Sequence, residues 1–342
     1  MQELADRITA YAAHRLPGAS EVAASGVDRI HGGASRETYR FVLRYREGGR
    51  EFERRLILRR DPPGSLIETE RAAEFAAYRA FYKSAVPVPE ALWLESDPKW
   101  LDHPFFVMEE LAGFEASPQA ITAPPYLEHH ERLAREKWSI LGAIAAADPE
   151  KLGLYDALPV RAPADCWRYE LDYWSGVIDK DELEPQPIIR AAIRALRRAP
   201  PPPPKRLHVV HGDYRTGNFL YDKEGAIRGI LDWEMAHLGD PLEDLAWCSC
   251  ELWRGGTPWA GAMIAPEEFF AAYARASGRA VDPERMAFYR VLAVVKMIAI
   301  MLTGIRAFRD GRTTDLRMAI FDHQLPFLFA LLALARGWLT GG

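Results

Sequence analysis

The chain has 342 residues, of which 49% are hydrophobic and 27% are charged, and its formal net charge is −5. Such a chain can bury a sizeable core, which argues against intrinsic disorder and against a small disulfide-stapled scaffold. Because nucleic-acid-binding domains are usually basic, the acidic balance also argues against a nucleic-acid partner. The three cysteines, Cys166, Cys248 and Cys250, are too few for a disulfide framework and too unevenly spaced for a zinc site.

No segment has the pattern of a membrane anchor or a signal peptide. The first 16 residues include Glu3, Asp6 and Arg7 and lack an apolar region. The apolar stretch 291–305 contains Lys296 and falls short of the roughly 18 residues of a membrane span, and the stretch 325–335 is shorter still. We therefore predict two buried core helices, no membrane partner and, from the reduced cysteines, a cytoplasmic location.

The first 110 residues have the pattern of a small sheet with one helix packed against it. Branched and aromatic residues predict two strands joined by a hairpin loop, and two further short strands follow a helix with small and apolar residues at helical spacing. The strands are predicted over residues 38–45, 51–59, 91–94 and 105–108, and the helix over residues 68–83.

Beyond this region the pattern is mainly helical. Helices are predicted over residues 133–147, 167–177, 187–198, 267–277, 283–308 and 325–338. Five prolines at 200–204 predict a stiff extended spacer. We therefore predict an α+β, bilobal fold, with a small strand-rich N-lobe at residues 1–110 and a large, mainly helical C-lobe at residues 111–342.

Polar residues between positions 207 and 247 have a spacing that suits phosphoryl chemistry. A predicted strand follows Asn218, and a turn at 222–225 returns the chain in a second strand, which places Asp232 beside Asn218. Amide and carboxylate oxygens are ligands that Mg²⁺ prefers, so Asn218 and Asp232 are the predicted metal ligands. Asp213, at the mouth of this hairpin, is placed to accept a proton from a hydroxyl that attacks phosphorus.

Asp240 and the three residues after it predict the start of a helix. Asp240 is the expected N-cap, Pro241 the first helical residue, and Glu243 the residue that closes a capping box.

These motifs resemble a known family. An Asp-x-x-x-x-Asn motif, followed after a hairpin by a metal-binding Asp, is the catalytic arrangement of protein kinases. The His-Gly-Asp form at 211–213, with Asp-Trp-Glu at 232–234, is similar to the aminoglycoside phosphotransferase family of small-molecule kinases. Within that family, HGDYRTGN, ILDWEMAHLGDP and EDLAW most resemble the branch fused to acyl-CoA dehydrogenases in animals. The resemblance is most specific over residues 211–247 and implies a protein-kinase-like fold.

The resemblance implies a role for each matching residue. Asp213 is the catalytic base, Arg215 neutralises charge on the transferred phosphoryl group, and His211 orients the loop. Asn218 and Asp232 hold Mg²⁺. The expected nucleotide is ATP, with GTP as the alternative.

In the N-lobe the resemblance implies a nucleotide site. Arg59 stands where protein kinases have a lysine that contacts the α- and β-phosphates, and a helical glutamate is its ion-pair partner. Strand alternation places Ile57 on the same face as Arg59, where it can cover the adenine. The implied nucleotide-binding residues are Ser35, Ile57, Arg59, Glu74, Met108, Glu109 and Leu111.

The acceptor is predicted to be a small molecule with a hydroxyl group that is neutral or anionic, such as a hydroxyacyl thioester or a hydroxy acid. Residues 261–342 carry ten Lys/Arg and seven Asp/Glu, which does not suit a polycationic aminoglycoside. The acidic residues at 179–184 are the counterargument, because they could fold over the acceptor pocket. The sequence leaves the oligomeric state open.

Two other functions remain open. One is a metal-dependent phosphoesterase built from His208, His211, Asp213, Asp232 and His237. The other is a nucleotide-binding interaction module without turnover. The histidines at 208 and 237 are expected to be structural.

Overall fold

The computed structural model describes residues 1–30, 37–61, 71–254, 257–258, 261 and 263–335. It divides into two compact units, Met1–Phe114 with Arg228–Glu234, and Glu115–Ile227 with Met235–Gly342. The smaller unit is rich in strands and the larger one is mostly helical, as predicted for an α+β fold. The division falls after residue 114, and the return of segment 228–234 to the smaller unit is not visible in the sequence pattern.

The smaller unit contains a five-stranded antiparallel sheet with the order β1-β2-β3-β5-β4. Helix α1 packs on β1, and α2 packs against β4 and β5. The elements are α1 (Gln2–Arg15), β1 (Ala19–Ile30), β2 (Glu37–Glu47), β3 (Arg50–Arg60), α2 (Arg71–Phe81), β4 (Ala91–Glu95) and β5 (Phe105–Glu109).

The four predicted strands are present, but α1 and β1 were not predicted. The described part of the predicted helix forms α2. Strand β1 escapes recognition because its register against β2 shifts twice, between Ser20 and Ala23 and between Ser25 and Asp28. Each shift interrupts the alternation of buried and exposed side chains by which a strand is recognised.

The larger unit contains all the predicted helices and two short strands that were not predicted as a pair. Strands β6 and β9 are antiparallel, with His208 opposite Gly239. All three cysteines are buried and free, as expected. The further elements, in chain order, are α3 (His130–Ala146), α4 (Leu154–Ala157), α5 (Cys166–Asp181), α6 (Pro187–Arg198), β6 (His208–Val210), β7 (Phe219–Tyr221), β8 (Ile227–Ile230), β9 (His237–Gly239), α7 (Leu242–Cys248), α8 (Pro266–Ser277), α9 (Pro283–Arg309) and α10 (Leu316–Ala335).

Helices α9 and α10 are long and apolar enough, by length and composition alone, to cross a membrane. The apolar window of α9 is 83% buried within the fold, so the prediction of a buried core helix is confirmed there. The window of α10 is only 22% buried. Within the predicted stretch, Leu325, Leu328 and Leu332 are buried and Phe327 is exposed, so the prediction of a buried helix is confirmed for one face only. A stretch that is apolar on every side does not indicate which of its faces the fold covers.

Close packing of α3 on α8 gives a stability prediction. A Cβ atom on Gly142 of α3 would lie 2.6 Å from the Cβ of Ala276 and 2.8 Å from the carbonyl oxygen of Tyr273. Gly142→Ala should therefore lower the free energy of unfolding by roughly 1–3 kcal/mol, since neither atom is the end of a flexible side chain. Urea unfolding measures the change.

The matched control is Gly176→Ala in the exposed part of α5, where nothing lies within 4 Å of the added Cβ. Alanine is the better helix former, so this variant should gain about 0.5–1 kcal/mol. Equal effects of the two substitutions would contradict the close packing of α3 on α8.

Candidate active site

Three donors hold the carboxylate of Asp213 in the larger unit. The indole N–H of Trp247 donates to Oδ1 at 2.8 Å. The side-chain amide of Asn218 and the Nε–H of Arg215 donate to Oδ2 at 2.7 and 3.1 Å. Because both oxygens are hydrogen-bonded, rotation of the carboxylate is restricted. The Asp213 side chain is still 16% exposed, so the predicted base is both held and reachable by a small molecule.

The backbone that leads to Asp213 is held by two buried charged residues. Asp244 of α7 accepts hydrogen bonds from the N–H groups of His211 and Gly212, at 2.6 and 2.9 Å. Lys296 of α9 donates to the carbonyl of Gly212. Nδ1 of His211 accepts the N–H of Asp213 at 3.2 Å, which is the kind of backbone contact that the resemblance implies for this histidine.

The middle residue of the His-Gly-Asp motif must be glycine. Gly212 has φ +85°, and a Cβ atom there would lie 2.4 Å from the carbonyl oxygen of Met235. Only glycine combines this left-handed backbone with so close an approach of another peptide group. The motif is therefore explained by local backbone geometry as well as by chemistry.

Helix α7 begins at Leu242 with Pro241 as its N-cap, so the predicted N-cap at Asp240 and first helical residue at Pro241 lie one residue too early, and the predicted capping box is absent. Oδ1 of Asp240 accepts the N–H of Leu242 at 3.0 Å, and Oδ2 accepts from Arg285. The side chain of Glu243 instead contacts Nε2 of His237 at 3.1 Å. A buried carboxylate gains more from a charged partner than from a peptide N–H, and the sequence does not show that His237 lies beside it.

Glu170, His237 and Glu243 form a charged cluster beside Lys296. The Glu170 and Glu243 carboxylates lie 3.5 and 3.1 Å from Nε2 of His237, and Nζ of Lys296 lies 3.7 Å from Glu243. Burial alone would lower the pKa of His237, but the two carboxylates raise it to about 10, so the ring is protonated at neutral pH. The spacing of the ligand atoms would suit a metal ion. However, the protonated ring offers no lone pair, and Lys296 already supplies positive charge, so we interpret the cluster as a set of ion pairs.

The residues proposed for a phosphoesterase do not form one ligand group in the part of the chain that the structure describes. The one group of metal-ligand type found there is the cluster of Glu170, His237 and Glu243. His208 is 1% exposed, and burial together with nearby arginines lowers its pKa to about 4, so it is a neutral core residue. These contacts do not favour the phosphoesterase.

In the smaller unit, three carboxylates surround the guanidinium of Arg59. Glu74 lies at 2.6 Å, Asp232 at 3.1 Å and Glu234 at 3.7 Å. The ring of Phe106 lies 6.0 Å from the guanidinium carbon. Burial alone would lower the pKa of Arg59, but these carboxylates raise it. The predicted ion pair between Arg59 and Glu74 is thus present, while contact with phosphates remains a prediction.

Asp232 has a left-handed backbone, with φ +67°, which non-glycine residues adopt rarely and at a cost. Its N–H donates to the hydroxyl of Tyr78 at 2.9 Å, and the adjacent Trp233 ring stacks on Phe81 with centroids 4.9 Å apart. Tyr78 and Phe81 both belong to α2. This helix therefore holds Asp232 and Trp233 in a backbone conformation of the kind found at functional sites.

The predicted metal ligands lie in different units, Asn218 in the larger and Asp232 in the smaller, so their sharing of one cation remains a prediction. Their chemistry fits Mg²⁺, because each offers a hard oxygen. The side-chain amide nitrogen of Asn218 donates hydrogen bonds to Asp213, so the amide oxygen of Asn218 is the atom that would bind a cation.

The remaining predicted nucleotide-binding residues lie at the β3–β5 side of the sheet or outside the described chain. Ile57 and Met108 are both buried and directly opposite each other. The N–H of Glu109 donates to the carbonyl of Glu90 at 2.9 Å, so this N–H already has a backbone partner, and contact of Glu109 with a nucleotide remains a prediction. Leu111 follows the end of β5, and Ser35 lies outside the described residues.

Sequence reasoning gave no role to Asp244, Trp247, Lys296 or Glu234. Trp247 and Glu234 contact predicted site residues, and Asp244 and Lys296 hold the backbone that leads to Asp213. The sequence does contain a signal for Asp244, Trp247 and Lys296. Asp244 and Trp247 are three residues apart in α7 and therefore share a face. Lys296 is a charge within an otherwise apolar stretch, and a buried charge needs a specific partner.

Lys137 lies behind the loop that carries Asp213 and is 1% exposed. Its ammonium donates to Oγ1 of Thr216 at 2.8 Å and lies 4.3 and 5.2 Å from the ring centroids of Trp138 and Phe219. Burial lowers its pKa to about 7. The folded protein therefore begins to lose this proton near neutral pH, whereas the unfolded chain keeps it to about pH 10.4.

This difference makes stability depend on pH. Between about pH 7 and pH 10 the unfolded chain binds more protons at Lys137 than the folded chain does, so this residue's contribution to the free energy of unfolding rises with pH. Lys137→Met should remove that rise, by up to about 1.4 kcal/mol per pH unit. Urea unfolding at pH 7, 8 and 9 measures it. Lys223→Met, at an exposed turn, is the control and should leave the slope of the free energy of unfolding against pH unchanged. If Lys137→Met has the same slope as the unmodified protein, the prediction is wrong.

Comparison with known proteins gives relatives of two kinds. Mouse acyl-CoA dehydrogenase family member 10 is 31% identical over 209 residues, which cover 58% of this chain and 18% of that protein. Human acyl-CoA dehydrogenase family member 11 is 25% identical over 295 residues, which cover 78% of this chain and 36% of that protein. Viomycin phosphotransferase of Streptomyces vinaceus is 34% identical over 150 residues, which cover 42% of this chain and 48% of that protein. The chain thus spans about a third or less of its acyl-CoA dehydrogenase relatives.

Solved structures share the fold over nearly the whole chain. A Ralstonia eutropha protein assigned to the aminoglycoside phosphotransferases superposes with a TM-score of 0.71 at 19% identity, covering 95% of both chains. Macrolide 2′-phosphotransferase type I superposes with a TM-score of 0.60 at 20% identity, covering 94% of this chain and 96% of that one. These similarities confirm the predicted protein-kinase-like fold.

The family itself follows from the sequence match. Residues 26–289 match the family model described as "Phosphotransferase enzyme family". The matched range covers the sheet from the end of β1 onward, the His-Gly-Asp loop and the first turns of α9. The match confirms the predicted resemblance and the prediction of a phosphotransferase. The chain belongs to the phosphotransferase enzyme family.

Proposed function

We propose that this protein is an ATP- and magnesium-dependent kinase that phosphorylates a hydroxyl group of a small neutral or anionic molecule. The observation that supports it best is the Asp213 carboxylate, which is held by three donors and yet is partly exposed. Phosphoryl transfer asks little covalent chemistry of a protein and depends on such positioning.

In the proposed reaction the oxygen of the substrate hydroxyl attacks the γ-phosphorus of ATP. The hydroxyl proton passes to the carboxylate of Asp213. The bond between the γ-phosphorus and the bridging oxygen breaks, and its electron pair leaves with ADP, so the products are a phosphate ester and ADP. Arg215, which lies 3.1 Å from Asp213, is placed to stabilise negative charge on the transferred group.

Asn218 and Asp232 are the residues proposed to hold Mg²⁺. When bound, the ion supplies positive charge that offsets the charge of the phosphates. In the smaller unit, Arg59 supplies a planar guanidinium whose N–H donors suit phosphate oxygens, and Glu74 fixes its orientation at 2.6 Å.

The nucleotide is proposed to be ATP, with GTP as the alternative. Solved structures of the same fold contain ADP with hygromycin B, AMP-PNP with hygromycin B, or GDP. Both purine nucleotides are thus accepted by proteins of this fold. Ile57 and Met108, which are buried and opposite each other on β3 and β5, are the apolar residues proposed to cover the base.

The charges of the larger unit support a neutral or anionic acceptor. A polycation would need unpaired carboxylates, but Glu170 and Glu243 contact His237, and Asp240 contacts Arg285. The names of the acyl-CoA dehydrogenase relatives suggest an acyl thioester, so a hydroxyacyl thioester or hydroxy acid is the proposed class.

The acidic residues at 179–184 were the counterargument to this proposal. Asp179 and Glu182 both contact Arg190, and Asp181 accepts a hydrogen bond from Thr303 at 2.6 Å. These carboxylates therefore have partners within the fold, which weakens the case for an aminoglycoside.

The proposal is tested by incubating the protein with Mg·ATP and two substrate panels, hydroxyacyl-CoA compounds with their free hydroxy acids, and aminoglycosides. Phosphate ester and ADP are measured. We expect Asp213→Asn to lower kcat at least about 10²-fold, the scale of general-base removal. The KM for Mg·ATP should change less than about twofold, because Asp213 is not proposed to bind the nucleotide.

Asp172→Asn is the matched control, since Asp172 is exposed on α5 and contacts Arg197. Near-normal turnover by Asp213→Asn would remove Asp213 from the mechanism. Efficient phosphorylation of an aminoglycoside, near 10⁵ M⁻¹s⁻¹, would overturn the proposed acceptor class while leaving the kinase proposal intact.

A further inference from the structure

Trp247 contacts both the active-site loop and a residue of α9 that holds the loop. It lies in α7 and is 2% exposed. The edge of the indole donates to Oδ1 of Asp213 at 2.8 Å, and the ring face lies 4.9 Å from the ammonium of Lys296. The same ammonium donates to the carbonyl of Gly212. Trp247 therefore lies between the residue that holds the loop backbone and the carboxylate that the loop presents.

The surroundings of Trp247 restrict its own movement. The ring of Trp253 meets it edge to face, with centroids 5.5 Å apart. Trp253 also faces the guanidinium of Arg215 at 5.5 Å, and Arg215 donates to the other carboxylate oxygen of Asp213. The indole N–H is thus aimed by packing on several sides, as expected of a group that positions another.

We propose that Trp247 is a positioning residue for phosphoryl transfer, whose indole N–H fixes the plane of the Asp213 carboxylate. The inference rests on the proposed kinase function. Asn218 and Arg215 hold Oδ2, and Trp247 holds Oδ1, so loss of the indole N–H removes a donor from Oδ1 and loosens the plane of the carboxylate.

Trp247→Phe tests this role, because phenylalanine keeps an aromatic face for Lys296 but has no N–H. We expect kcat to fall at least about tenfold, the scale of a hydrogen bond to a charged group. The KM for Mg·ATP should stay within about twofold. The loss should therefore appear in kcat and not in KM.

Trp138→Phe is the matched control, because Trp138 is also fully buried in the larger unit and its ring belongs to the packing of α3. It should retain the kcat of the unmodified protein. If Trp247→Phe and Trp138→Phe have the same kcat, the proposed role of Trp247 is wrong.

A second measurement does not depend on finding a substrate. In a ¹⁵N-labelled sample, the indole N–H signal of Trp247, identified by its loss in Trp247→Phe, should have a different chemical shift in Asp213→Asn than in the unmodified protein, because the charged acceptor is replaced by an amide. The same chemical shift in both proteins would overturn the hydrogen bond. Absence of phosphoryl transfer by the unmodified protein would instead count against the kinase proposal.

Discussion

The active-site loop depends on two buried charges that bind its backbone. Asp244 accepts two peptide N–H groups, from His211 and Gly212, and Lys296 donates to the carbonyl of Gly212. Hydrogen bonds to charged groups contribute about 1.5–3 kcal/mol each, and removal of one partner leaves a buried charge that costs more. The conformation of the loop is therefore fixed by α7 and α9 and does not require a bound substrate.

Several parts of the fold follow from this constraint. Helix α7 must begin close to the loop, which Asp240 achieves by accepting the N–H of Leu242 and pairing with Arg285 of α9. Glu243, in the first turn, then contacts His237 and Lys296 rather than capping the helix. Because buried acids of this region pair with His237, Lys296 and Arg285, the fold can place them close to the Asp213 carboxylate.

The local features of this chain could be predicted from sequence, and the long-range contacts could not. The spacing of Asp213, Asn218 and Asp232 followed from motif and strand pairing, and the pairing of Arg59 with Glu74 was implied by the family resemblance. Strand β1 was missed because two register shifts interrupt its alternation. The partners of the active-site loop were missed for another reason, because Trp247 lies 34 residues along the chain from Asp213, and Lys296, which holds Gly212, comes from a helix with an apolar sequence. Periodicity describes which face of an element is buried, but does not say which element covers it.

Helix α7 should hold the loop in place before any ligand binds. Native-state hydrogen exchange of the His211 and Gly212 amides tests this role most directly. Both amides should exchange with the same free energy of opening as the most protected amides of α9, and Asp244→Asn should lower this value for both. Exchange of the two amides in the unmodified protein as fast as in exposed loops would contradict this role of α7.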